Sequence, residues 1–260
     1  MHKYNKLPAA QRMTAAQHAD AAAQILGRLH KRYPLLRAES LKAYSGKQSF
    51  SGLDLLVAIP ETEHAFAELR GYITSEVATG DNICDDERIS LQYGQFQVDV
   101  AFVPAAHFDM AADYHAYQEL GNLISKVAHA RGLSLRPGRL AYRVRDGERM
   151  VADIELAHSW SRSLDILGYS HAEWQQGFTS LPDIFAFVAS SPLFCPSLFP
   201  SKQMAKPGAR PSLREAFATW LSTAELGTPA KDPLLWLFDQ VPGFEVRYET
   251  VVANDSRKKA

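Results

Sequence analysis

The chain has 260 residues, 46% of them hydrophobic, and a formal net charge of −1. That length suffices for one large domain or two small ones. The near-neutral charge excludes both a global basic field for nucleic acid and the acidic excess that keeps chains disordered.

The N-terminus, Met1-His2-Lys3-Tyr4-Asn5-Lys6, is followed by no apolar core of about 7–15 residues of the kind a signal peptide needs, and no run of about 18 apolar residues occurs. A cytoplasmic protein with no membrane partner is expected. From Pro8 to Tyr33, Ala-, Gln- and Leu-rich sequence with Ala22, Ile25, Leu26 and Leu29 at helical spacing predicts an amphipathic helix ending near Pro34. Leu53 to Ile59 is an apolar run broken only by Asp54, which predicts a strand buried on both faces. Thr62 to Tyr72 reads as a helix. Ile89 to Tyr93 and Gln95 to Val103 read as strands around a turn at Gly94, the second interrupted by Asp99. Asp113 to Arg131 is helical, with Gly132 as its C-cap. Arg139 to Val144 and Met150 to Leu156 flank an Asp146-Gly147 turn, a hairpin signal. Leu181 to Ala189 is a short helix, Ser190 to Pro211 a loop or linker, Leu213 to Leu221 another helix, and Asn254 to Ala260 a frayed tail.

Two cysteines, Cys84 and Cys195, form neither a Cys-x-x-Cys pair nor a zinc spacing, which predicts reduced thiols. His107, His115 and His129 match no metal motif, and the tryptophans are assigned to core or docking positions. No dinucleotide fingerprint, phosphate-binding P-loop or nucleophile elbow is present. Between Lys126 and Arg149 the arginines 131, 136, 139, 143, 145 and 149 crowd together, opposed only by Asp146 and Glu148. Arg139, Arg143 and Arg145, with Tyr142 among them, are candidates to follow a phosphate backbone or hold a triphosphate; a solvated edge strand protected by charge explains them equally.

A carboxylate inside an apolar strand needs a reason. Asp54 and Asp99 facing one another across a sheet would hold a divalent cation, and hard oxygen ligands select magnesium or manganese. Each sitting at a strand end, hydrogen-bonded to backbone, is the alternative.

Ser51-Gly52-Leu53-Asp54-Leu55-Leu56-Val57, followed by Ala58-Ile59-Pro60, resembles the Gly-Asp-x-Asp strand of the DNA polymerase X family, the polymerase-beta-type nucleotidyltransferases. Gln97-Val98-Asp99-Val100-Ala101-Phe102-Val103-Pro104 resembles that family's third-carboxylate strand, and Leu120 to Leu133 is similar in character to its Gly-x-x-x-x-Asn helix. The resemblance spans Leu7 to Val188. It implies an α/β (α+β) fold, a nucleotidyltransferase-type mixed sheet flanked by helices and followed by a smaller hairpin-and-helix subdomain. The divisions expected are 1–110 for the palm, 111–189 for the helix and hairpin, and 190–260 for a linker and C-terminal helical extension.

The resemblance implies catalytic, metal-binding roles for Asp54 and Asp99, with Mg2+ or Mn2+ as cofactor, a nucleoside triphosphate as partner and single-stranded nucleic acid as a further candidate. It departs from the pattern at Gly52, where the first aspartate belongs. Leu41-Lys42 stand at the Gly-Ser pair, and Tyr44-Ser45-Gly46 at the Arg-Arg-Gly of the phosphate loop, where only Gly46 matches. Lys42, Gly46 and Lys47 remain as phosphate-binding candidates. In the two-metal mechanism the loss of one carboxylate weakens both sites unless another enters, for which Asp153 and Glu155, on one strand face, are candidates. Two functions are therefore expected: metal-dependent transfer or binding of a nucleotide, or a lapsed fold serving as a nucleic-acid-binding or protein-interaction module.

Overall fold

The computed structural model describes residues 7, 10–60, 62–199, 213–224 and 231–259. Two compact units divide the chain, Met1–Ala112 and Asp113–Ala260, and the protein is of mixed α/β class.

The predicted first helix starts later than its alanine-rich composition indicates. Met13–Thr14 is a short strand, β1, and the helix α1 spans Ala15–Arg32. Thr14 fixes that start: its hydroxyl accepts from the Gln17 N–H while the Gln17 side chain accepts from the Thr14 N–H, a reciprocal cap for helix-terminal donors. Next come β2 (Ala38–Ser40), β3 (Ser49–Phe50), which pairs with β1, and β4 (Leu53–Ile59). Thr62 caps α2 (Glu63–Tyr72), which runs into a π-helical turn, Ile73–Val77. The edge strand β5 (Asn82–Cys84) precedes a hairpin of β6 (Arg88–Tyr93) and β7 (Phe96–Pro104).

Five strands form one sheet in the order β2-β4-β7-β6-β5. The β4–β7 pair is parallel and the others antiparallel. Alternation along the strands sends side chains to two faces. Leu53, Leu55 and Val57 join Val98, Val100 and Phe102 in a core with Ile25 and Leu29 of α1 and Leu69, Ile73 and Val77. Leu56 and Ala58 pack on the other face, with Ala101 and Val103, against Phe108 and Ala111. Strand β4 is thus buried on both faces, as its composition predicts. Asp54 and Asp99 belong to the second face, beyond the end of its apolar cluster.

Phe108 and Ala111 open α3 (Phe108–His129). In the second unit this helix departs from ideal geometry at Tyr117, which has φ 55°, the one non-glycine residue in the left-handed region among those described. Gly121 makes room for the departure: a β-carbon there would fall 2.1 Å from the Tyr114 carbonyl oxygen. The unit continues with β8 (Leu133–Arg136), β9 (Arg139–Asp146) and β10 (Arg149–Ala157), one antiparallel sheet in the order β10-β9-β8. The predicted hairpin therefore carries a third strand.

Three helices follow, α4 (Trp160–Leu167), α5 (His171–Gln176) and α6 (Leu181–Ala189), capped by Ser159, Ser170 and Ser180. Beyond them are α7 (Leu213–Leu221), α8 (Pro233–Gln240) and α9 (Phe244–Lys259). Most of the expected 190–211 linker lies outside the described residues. The expectation of a frayed tail is corrected, because α9 runs through it. Phe244 and Tyr248 pack edge-on to the Tyr142 ring, and Asp255 accepts from Arg149 at 2.6 Å. No helix among the described residues is long and apolar enough to cross a membrane.

Candidate functional site

Asp54 and Asp99 are register partners on the parallel strands β4 and β7. Partners in register point to the same face of a sheet from backbones about 4.8 Å apart. Both side chains are half-buried, and this arrangement brings together the two carboxylates singled out in the sequence.

Asp99 is held by its own hairpin. The Ser90 hydroxyl donates to Oδ1 at 2.5 Å, and the Gln97 amide nitrogen lies 2.9 Å from both Oδ1 and Oδ2. Ser90 is its cross-strand partner in the register, while Gln97 sits two residues earlier on the same strand face. Burial pushes the Asp99 carboxyl above the usual carboxylate range; hydrogen bonds from Ser90 and Gln97 and the charge of Arg88 pull the other way. On its other side, Gln97 Oε1 accepts the Leu7 N–H at 3.1 Å. Neither Ser90 nor Gln97 stands out in the sequence, since both occupy polar positions of alternating strands.

Gly52, expected in the place of a ligand, borders the same carboxylate. A β-carbon added there would lie 3.8 Å from Asp99 Oδ2 and 3.1 Å from the Gln97 carbonyl oxygen. The notch therefore faces Oδ2 and admits a side chain if the Gln97 backbone gives by a few tenths of an ångström. Among the described residues, no three His, Cys, Asp or Glu side chains gather into a cation-binding group. Two carboxylates on one face offer hard oxygen donors of the kind a small divalent cation takes, and such a cation would need at least one further ligand.

The expected phosphate-binding residues occupy the loop between β2 and β3. Its start is tied to the aspartate strand, where the Leu41 N–H donates to the Asp54 carbonyl at 3.0 Å, and the Lys47 N–H closes a turn on Tyr44 at 3.1 Å. Lys42 and Gly46 are exposed. Lys47 is drawn elsewhere: its Nζ lies 4.2 Å from the centre of the Phe50 ring, on which His18 stacks at 4.0 Å.

Arg139 and Arg143 of β9 and Arg149 of β10 are paired with carboxylates. Arg139 donates to Asp153 and to Glu155, each at 3.0 Å. Arg143 donates to the Ser134 hydroxyl at 2.9 Å, and its Nε lies 3.9 Å from Asp153 Oδ1. Arg145 donates to the Glu148 carbonyl, and Arg149 pairs with Asp146 and Asp255. The carboxylates considered as borrowed ligands, Asp153 and Glu155, are thus charge partners of Arg139 within the second unit.

No family model matches the chain, and no curated protein matches it at a significant level.

Proposed function

We propose that the Asp54–Asp99 pair is a magnesium or manganese site in a polymerase-beta-type nucleotidyltransferase fold, which binds a nucleoside triphosphate and transfers or retains its nucleotide. The observation that carries this reading is the register, which sets the two aspartates side by side on one sheet face. A bound cation there would screen the triphosphate and lower the pKa of an attacking hydroxyl. The protein's own residues do the rest. Asp54 and Asp99 hold the cation, Ser90 fixes the orientation of Asp99, and Lys42 and Gly46, on the loop anchored at Asp54, offer phosphate contacts. The free thiols Cys84 and Cys195 suit a cytoplasmic setting.

The second reading, a lapsed member retained as a binding module, is favoured by Gly52 and by the protein donors already on Asp99. Pairing of Arg139 and Arg143 with acids leaves less support for single-stranded nucleic acid as the partner.

Manganese binding, followed by electron paramagnetic resonance, and transfer from labelled nucleotides to a panel of acceptors test the reading. Gly52→Asp is expected to bind Mn2+ on the order of tenfold more tightly, since a third carboxylate adds charge and a ligand oxygen. The double variant Asp54→Asn/Asp99→Asn should lose binding. Undiminished metal binding or transfer by that double variant would overturn the site; metal binding without transfer to any acceptor would favour the lapsed module.

A further inference from the structure

We propose that Gln97 is the missing third ligand of this site, and that it reaches the cation by turning its amide over, at the expense of its hydrogen bond to Leu7. The inference rests on the metal-site reading above.

The orientation of the amide is set by its neighbours. The Leu7 N–H can only donate, so it must face Oε1, at 3.1 Å. The amide nitrogen is thereby turned to Asp99, 2.9 Å from each of its oxygens. This nitrogen occupies the mouth of the carboxylate, where its two N–H groups replace some of the positive charge that a cation would supply. Gln97 is only 5% exposed, so a turn about its last torsion is the available motion, without withdrawal into solvent.

Turned over, Gln97 would place its oxygen where the nitrogen now stands. Oxygen facing oxygen at that distance is repulsive without a cation. With one it is the expected spacing, because adjacent ligands of an octahedral site with bonds of about 2.1 Å lie about 3.0 Å apart. An amide oxygen is a hard, neutral donor of the kind magnesium and manganese accept. Gly52 leaves no side chain in competition for that place. The same turn sets the amide N–H groups against the Leu7 N–H, donor to donor, so the contact with Leu7 has to break. Cation binding and docking of Leu7 are therefore opposed, and the opposition is reciprocal.

Mn2+ binding to full-length protein, read by electron paramagnetic resonance, distinguishes a ligand from a mere obstruction. If Gln97 is a ligand, Gln97→Met should weaken binding about tenfold and Gln97→Glu should strengthen it. Leu7→Pro, which lacks the N–H and removes one hydrogen bond that the turn has to break, should bind roughly fivefold more tightly. Saturating Mg2+ on the unmodified protein should shift the Leu7 amide resonance and speed its hydrogen exchange, a readout independent of how well any variant folds. A Gln97→Met protein that binds as tightly as the unmodified one, or more tightly, while Asp54→Asn/Asp99→Asn does not bind, would sink the Gln97 inference alone. A Leu7 amide indifferent to bound Mg2+ would do the same. Absence of binding by both the unmodified and the Gln97→Glu proteins would remove the metal-site reading, and this inference with it.

Discussion

His18 shows how one residue's surroundings set its chemistry. Its imidazole stacks on Phe50, and its pKa is lowered, first by burial and second by the charge of Lys47. The folded state therefore resists protonation of His18 more than the unfolded chain does. This contribution to stability is fully present above the ordinary histidine value of about 6.5 and is lost as pH falls through it toward the folded-state value. Denaturation midpoints measured between pH 7.5 and 5, as a range of about that width around the histidine value, should fall less steeply for His18→Gln than for the unmodified protein. An equal slope in both would show that His18 is not the group responsible. Lys47→Met should raise the His18 pKa in a nuclear magnetic resonance titration. Asp54 and Asp99 were legible in the sequence for the related reason that a charge in an apolar strand contradicts its surroundings. Ser90 and Gln97 were not, because an uncharged polar residue on an alternating strand reads as ordinary solvent-facing sequence. The density of arginines was equally visible, but the pairing of Arg139, Arg143 and Arg149 with acids was not: Arg143 meets Asp153 through cross-strand register, which composition does not encode.

At the scale of the element, α3 is the helix whose sequence least explains its geometry. A glycine at position 121 inside a helical pattern ordinarily costs stability relative to alanine. Here the relation is reversed, since the Tyr114 carbonyl stands where the β-carbon would be. Gly121→Ala should destabilise the protein by about 3 kcal/mol, the cost of forcing a backbone shift in a packed interior, and urea denaturation would measure it. A neutral or stabilising effect would mean that Tyr114 and Gly121 do not approach so closely. Strongly patterned elements such as α6 and the β6–β7 hairpin were readable from local sequence. Strands β2 and β8 are too short to carry a period. The last helix misleads by composition: its polar end lacks an apolar stripe, yet Phe244, Tyr248 and Asp255 find partners on β9 and β10.

Across the whole molecule, the first unit carries the candidate site and the second carries all four tryptophans. Trp160, Trp174, Phe178 and Phe187 form part of an aromatic cluster there, whose members come from the successive helices α4, α5 and α6 and from Phe178 between the last two. No local pattern announces such a cluster. Tryptophan emission accordingly reports on the second unit.

Ser90, Gln97 and Asp99 all belong to the single β6–β7 hairpin, closed at Gly94, which has φ 59°. Such hairpins form in about 1–10 μs, whereas the parallel docking of β4 on β7 must first close a loop containing α2, β5 and β6. On these timescales Asp99 is expected to acquire its donors before Asp54 arrives. Pulsed hydrogen exchange should find amides of the β6–β7 pairing, such as Leu91 and Val98, protected ahead of Leu55 and Val57; the opposite order would rule out this sequence of events. A carboxylate already hydrogen-bonded within its hairpin loses less when the next strand excludes water. The donors that now cover Asp99 would on this account ease the birth of the sheet, and a cation would meet them only after folding has finished with them.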